Sequence, residues 1–141
     1  MPAFRFFSDG VDFSIPKPRK TAEWLMQVAK RERKTPEEIA YIFCTDDYLL
    51  AINQRFLHHD TYTDIVTFDY AKGSKNLVGE VYISVDRVRD NAKTLNVPFE
   101  DELRRVVAHG LLHLCGYRDK TKAEKAAMRK KEDHCLSLWQ N

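Results

Sequence analysis

Residues 98–119 read PFEDELRRVVAHGLLHLCGYRD. Pro98 stands just before a helix predicted over about Glu100 to Cys115, and Gly116 stops it, because glycine takes the backbone conformation a helix C′ position needs. Leu103, Val106, Val107 and Leu114 make that helix largely apolar, so it is expected in the core. His109 and His113 lie four apart on one face, about 6 Å along the axis. The turn at Gly116 brings Asp119 back towards them. Two imidazoles and a carboxylate with room for a water form an accepted set for catalytic zinc. The bland alternative is a chance pair of core histidines satisfied by other groups. Polar rings in an apolar helix are costly unless paired or liganded, which favours a metal site at the end of a core helix, built from His109, His113 and Asp119.

Working outward, 3–7 reads as a strand and 21–32 as a helix capped by Thr21. Pro36 ends a loop, and Glu38 to Cys44 alternates apolar and polar as a strand does. Thr45 caps a helix to about Phe56, with Asp46 and Asp47 in its first turn. Residues 64–70 form a strand, Gly73-Ser74 turns the chain, and Glu80 to Ser84 is the antiparallel partner. Ser84 caps a helix to about Leu95, and Thr121 caps a last one to about Leu138. About four strands and five helices, neither segregated nor strictly alternating, predict an α+β (mixed α/β) fold. One small mixed sheet would carry helices packed on it, as a single metal-dependent hydrolase domain over 1–141.

Composition sets the outer bounds. Apolar residues make up 43% and charged residues 31%, and the formal net charge is +2 over 141 residues. That is ordinary for a globular domain and lacks the large basic excess many nucleic-acid binders carry, so a basic footprint must come from local clustering. Residues 17–20, 30–34 and Lys120-Lys122-Lys125-Arg129-Lys130-Lys131 are the clusters. Charge runs are usually solvated faces. The last one follows Asp119 directly, which makes Lys120, Lys122, Lys125 and Arg129 the candidates for holding the phosphates of a nucleic acid beside the metal. Cys44, Cys115 and Cys135 are odd in number with no repeating spacing, which predicts reduced thiols. The amino-terminal sequence lacks signal-peptide character, and no window reaches the ~20 apolar residues of a membrane span. A cytoplasmic protein without a membrane partner is expected, of unspecified oligomeric state.

The zincin peptidase pattern H-E-x-x-H places a Glu general base after the first His. Gly110 stands there instead, which demotes a peptidase. A mid-helix glycine costs up to about 1 kcal/mol relative to alanine, so Gly110 marks either close approach of another segment or tight packing. Glu80 and Arg118 are the candidate catalytic groups, with an exposed strand residue as the plain alternative for Glu80. Asp64 lines a cleft or caps a turn. His58 and His59 contact RNA or are merely polar loop residues. His134 faces solvent, and Cys115 is a buried thiol in preference to a ligand.

The stretch His109-Gly110-Leu111-Leu112-His113-Leu114-Cys115-Gly116-Tyr117-Arg118-Asp119 resembles the hallmark H-G-x-L-H-L-x-G-Y-D-H of the YbeY family of bacterial endoribonucleases. Asn53 with Thr63-Asp64-Ile65-Val66-Thr67-Phe68, Leu77 to Ser84, and Met128 with Glu132 resemble three further family blocks, in family order. The resemblance implies a small α/β fold, a three-ligand metal site usually assigned to zinc, cleavage of single-stranded RNA, and work in rRNA processing and ribosome quality control. Its partner would be rRNA or a ribosomal subunit. Two departures stand out. The third family histidine is Asp119 and the Asp before it is Arg118, and Leu57 stands where the family usually carries a cleft arginine. Arg55 or Arg118 are the candidate substitutes for that arginine, although a solvated helix residue is the favoured reading of Arg55. An aspartate ligand lowers the charge of the site and shifts preference towards harder cations, so zinc is expected, with manganese or nickel as alternatives. The competing class is a non-catalytic RNA- or ribosome-associated protein with a structural metal.

Overall fold

In a computed structural model of the chain, residues 2–59 and 61–140 are described. β1 (Phe4–Ser8), α1 (Pro18–Arg31) and β2 (Thr35–Cys44) form a parallel crossover unit, followed by α2 (Asp46–Leu57). β3 (Ile65–Asp69) and β4 (Asn76–Ser84) are an antiparallel pair, and β4 also lies parallel to β2. The mixed sheet therefore runs β1-β2-β4-β3. α3 (Val85–Leu95), α4 (Phe99–Leu114) and α5 (Lys122–Ser137) complete the α+β fold.

One sheet face carries the main core. Ile39, Tyr41 and Phe43 of β2 and Leu77, Val81 and Ile83 of β4 pack with Leu103, Val107, Leu111 and Leu114 of α4. Burying such side chains contributes roughly 1.5–3 kcal/mol each before the entropy of ordering them is counted. The polar tips that enter this core find partners. Tyr41 Oη donates to the Val107 carbonyl at 2.8 Å, and Trp24 Nε1 donates to the Cys135 carbonyl at 2.8 Å, tying α1 to α5.

α4 lies unusually close to β3 and β4. A Cβ on Gly110 would stand 2.6 Å from Val81 Cγ1 and 3.1 Å from Ile65 Cδ1. A Cβ on Gly79 would stand 2.6 Å from the Phe68 carbonyl oxygen and 2.7 Å from Leu114 Cδ2. Both glycines are there because nothing larger fits, so the half of α4 that bears the histidines rests directly on the sheet.

Thr45, Ser84 and Thr121 cap their helices as expected; Thr121 and Glu124 form a reciprocal capping box. Three boundaries differ from expectation. α1 starts at Pro18, whose fixed φ suits a first helical turn, with Lys17 left-handed before it at φ 50°. Thr21 is inside that helix, and its hydroxyl bonds back to the Lys17 carbonyl at 2.9 Å. β2 begins at Thr35, with Pro36 accommodated at a bulge where β1 does not yet flank it. β4 begins at Asn76, four residues before Glu80, because Gly79 serves close approach within the strand and does not break it. Among the described residues no helix is long and apolar enough to cross a membrane. The three cysteines are free, and burial raises the Cys44 and Cys115 thiols to about 12 and that of Cys135 to about 11.

Candidate metal centre

α4 ends in a Schellman turn. Gly116, at φ +107°, donates its N–H to the His113 carbonyl at 3.0 Å, and Tyr117 N–H reaches the Leu112 carbonyl at 3.1 Å. The turn aims the Tyr117 carbonyl back at His113, whose Nδ1 lies 3.0 Å away. Tyr117 is braced in turn, since its hydroxyl donates to Glu32 Oε1 at 2.6 Å while Lys131 Nζ holds Glu32 Oε2 at 3.0 Å. Asp119 follows on this fixed return.

His109 has a different support. Its Nδ1 faces Glu132 Oε2 at 2.5 Å, and Arg105 Nη1 holds the other Glu132 oxygen at 3.0 Å. A carbonyl and a carboxylate both accept, so each imidazole carries its proton on Nδ1 and turns the lone pair of Nε2 outward. Those two Nε2 atoms are 2.9 Å apart, and Asp119 Oδ2 is 3.2 Å from the first and 3.4 Å from the second. In the neutral imidazoles two nitrogen lone pairs and a carboxylate oxygen thus converge, an arrangement a cation relieves. Tetrahedral zinc with bonds of about 2.0–2.1 Å sets its ligand atoms about 3.3 Å apart, so the separations fit. Among the described residues His109, His113 and Asp119 are the one cluster with metal-binding spacing, and no fourth protein ligand joins it.

The electrostatics follow from the partners. Burial pulls the His109 imidazole down, but Glu132, Asp119 and Asp64 outweigh it, and the net shift is upward. His113 is lowered, by burial first and by His109 second.

The centre opens into a cleft of about 750 Å³. Its walls include Asn53, Leu57 and His59 on one side and Arg105, Lys120 and Arg129 on the other. Lys125 and Arg129 line a shallow depression that adjoins His109 and Asp119, whereas Lys122 lines neither. Asp64 is part of the cleft wall. Glu80 is not. Gly79 and Val81 face α4, so Glu80 points to the opposite side of the sheet, where its carboxylate takes the Tyr70 hydroxyl at 2.6 Å. Arg118 is exposed and absent from the cleft wall, and the Arg55 guanidinium stacks over the Phe56 ring at 5.4 Å. His134 is exposed on α5. With Leu57 on the wall, the cleft takes its positive charge from Arg105, Lys120 and Arg129.

Arg105 and Glu132 are the functional residues that sequence reasoning passed over. The signal for Arg105 was present, because 105, 109 and 113 are spaced by four and share one helix face. Glu132 stood in a recognised block without a role, since only the packing of α5 on α4 brings it to His109.

The sequence model of the family described as Endoribonuclease YbeY matches residues 8–140. Curated proteins with that name include one from Flavobacterium psychrophilum, 49% identical over 94% of this chain and 94% of its own length. Another, from Porphyromonas gingivalis, is 44% identical over 99% of this chain and 92% of its own. Among solved structures, the solution structure of a Thermotoga maritima protein superposes with a TM-score of 0.66 at 28% identity, over 96% of this chain and 87% of that one.

Proposed function

This chain belongs to the YbeY family of endoribonucleases, and we propose that it is a metal-dependent enzyme that cuts single-stranded RNA in the course of rRNA processing. The observation that carries this reading is the convergence of His109 Nε2, His113 Nε2 and Asp119 Oδ2 on the wall of a cleft that also presents Arg105, Lys120 and Arg129. Zinc is the ion the donor set fits best, and the aspartate leaves manganese or nickel as alternatives. When bound, such an ion supplies Lewis acidity: it acidifies water and draws charge from a phosphoryl oxygen.

The chain's own groups do the rest. Glu132 and the Tyr117 carbonyl fix both imidazoles with Nε2 towards the cleft. Arg105 is held by Glu132 at 3.0 Å and by Asp133 at 2.7 Å, so its guanidinium is a fixed charge beside the centre. Lys120 and Arg129 line the same cleft, and their charge suits them to hold a backbone phosphate. A non-catalytic protein with a structural metal would call for a sealed, four-ligand site; three ligands on an open cleft favour the enzyme. Ribosome association and a cytoplasmic setting belong to the same proposal.

The test is cleavage of a short single-stranded RNA by metal-loaded protein, with analysis of the product ends. Metal-dependent cleavage is expected. A 2′,3′-cyclic phosphate would assign the nucleophile to the RNA's 2′-hydroxyl, and a 3′-hydroxyl paired with a 5′-phosphate would assign it to water. No cleavage by protein with full metal content would overturn the enzymatic reading in favour of the binding protein.

A further inference from the structure

The cleft face of α4 carries Glu102, Arg105, His109 and His113 in a row. All but Glu102 have a described partner. Glu102 is only 6% exposed, yet no hydrogen bond or ion pair joins it to another of the described residues. Its carboxylate lies at the wall of the same cleft. Asp64 enters that wall from the start of β3, steadied by Asn91 Nδ2 at 3.4 Å. Burial raises the proton affinity of both carboxyls; Asp64 raises that of Glu102 further, while Arg105 and Arg129 lower it. A largely buried carboxylate with no hydrogen-bond partner costs stability, which leaves it open to a ligand that donates hydrogen bonds.

The chemistry of that ligand is narrow. Two acids repel phosphate, so the backbone of a bound strand keeps to Arg129, Lys120 and the metal centre. A cation lacks a third protein ligand here, since the metal-competent cluster among the described residues is the one at His109, His113 and Asp119. N–H donors remain. Seven residues of helix set Glu102 roughly 10 Å from His109 along the axis, a distance suited to a base that flanks the phosphate at the centre.

Resting on the endoribonuclease reading, we propose that Glu102, backed by Asp64, is a specificity residue that accepts hydrogen bonds from the amino-bearing edge of a flanking nucleobase and rejects uracil. Guanine offers a ring N–H and an amino group side by side, while cytosine and adenine offer an amino group. Uracil offers one N–H between two carbonyl oxygens, and a carboxylate repels both. Glu102→Gln replaces one acceptor oxygen with a donor of the same shape, which suits the N–H and carbonyl of uracil.

The experiment measures equilibrium binding of short single-stranded RNAs, by fluorescence anisotropy, to the metal-loaded protein and to Glu102→Gln. The RNAs differ only in carrying guanine, cytosine, adenine or uracil at one position, which is scanned along the strand. At one position wild type is expected to bind the guanine RNA about tenfold more tightly than the uracil RNA, the size of one good paired contact. Glu102→Gln is expected to shrink or reverse that ratio, and Asp64→Asn, as a second variant, to weaken it. Equal binding of all four bases in wild type overturns the proposal while leaving the endoribonuclease reading intact. So does an unchanged ratio in Glu102→Gln. A preference that disappears when the sugar at that position is deoxyribose assigns the carboxyl to a ribose hydroxyl and also overturns it. Absence of any RNA binding in wild type removes the endoribonuclease reading itself.

Discussion

The two ends of the α4 cleft are built on opposite plans. At the C-terminal end both imidazoles that point at the centre are held from behind, His109 by Glu132 and His113 by the Tyr117 carbonyl, with Tyr117 itself held by Glu32. At the N-terminal end Glu102 has no hydrogen bond or ion pair among the described residues, and the one side-chain hydrogen bond described for Asp64 is the long contact from Asn91. The first end is prearranged for an ion and loses little freedom on binding it. The second end carries an unfavourable charge until something arrives. A single helix thus bears a site finished by the fold and a site left for a substrate to finish.

The comparison breaks most visibly at the finished end. His113→Ala removes a converging nitrogen, and we expect RNA cleavage to fall by more than about 100-fold, beyond what loss of an outer-shell partner gives. Retention of activity would mean the centre is not the reacting one. Glu132→Gln keeps the shape but weakens the support of His109, so metal affinity measured by competition with a chelator should fall about 10- to 100-fold. Unchanged affinity would show that Glu132 serves Arg105 alone.

Between the ends sits Gly110, and Gly110→Ala tests whether both depend on the close seating of α4. The added Cβ meets Val81 Cγ1 at 2.6 Å, so we expect a loss of about 1–3 kcal/mol in denaturant unfolding. A neutral effect would show that the sheet yields.

The unfinished end gives the smallest and opposite effect. Glu102 binds its proton more tightly folded than unfolded. Its charge therefore subtracts stability as pH rises from its ordinary 4.5 through the higher folded value, and the penalty is full above that. Glu102→Gln should raise stability at neutral pH by about 0.5 kcal/mol, discounted because the carboxylate tip reaches water, and the gain should vanish in acid. A loss of stability at neutral pH would mean that Glu102 is structural.

The legibility of these two ends in the sequence also differs. His109, His113, Gly116 and Asp119 could be read because they lie within one helix and its turn, where spacing alone sets geometry. The strands and helices were legible for the same local reason, and so were the caps at Thr45, Ser84 and Thr121. Thr21 misled because Pro18 starts the helix one turn earlier. Glu80 and Glu132 depended on facts no local pattern holds. The register of β4 turns Glu80 away from the cleft, and the docking of α5 brings Glu132 to it. Glu102 carries no signal in the sequence beyond its place in a helix's first turn, where the dipole favours an acid, and burial in the cleft wall distinguishes it.

The central claim is that three side chains, and these three, make the centre. Metal content per chain tests it most directly, in wild type and Asp119→Ala purified side by side and supplied with zinc. The account predicts about one ion per chain in wild type and loss of it in the variant. No metal in wild type, or equal content in both proteins, would contradict it.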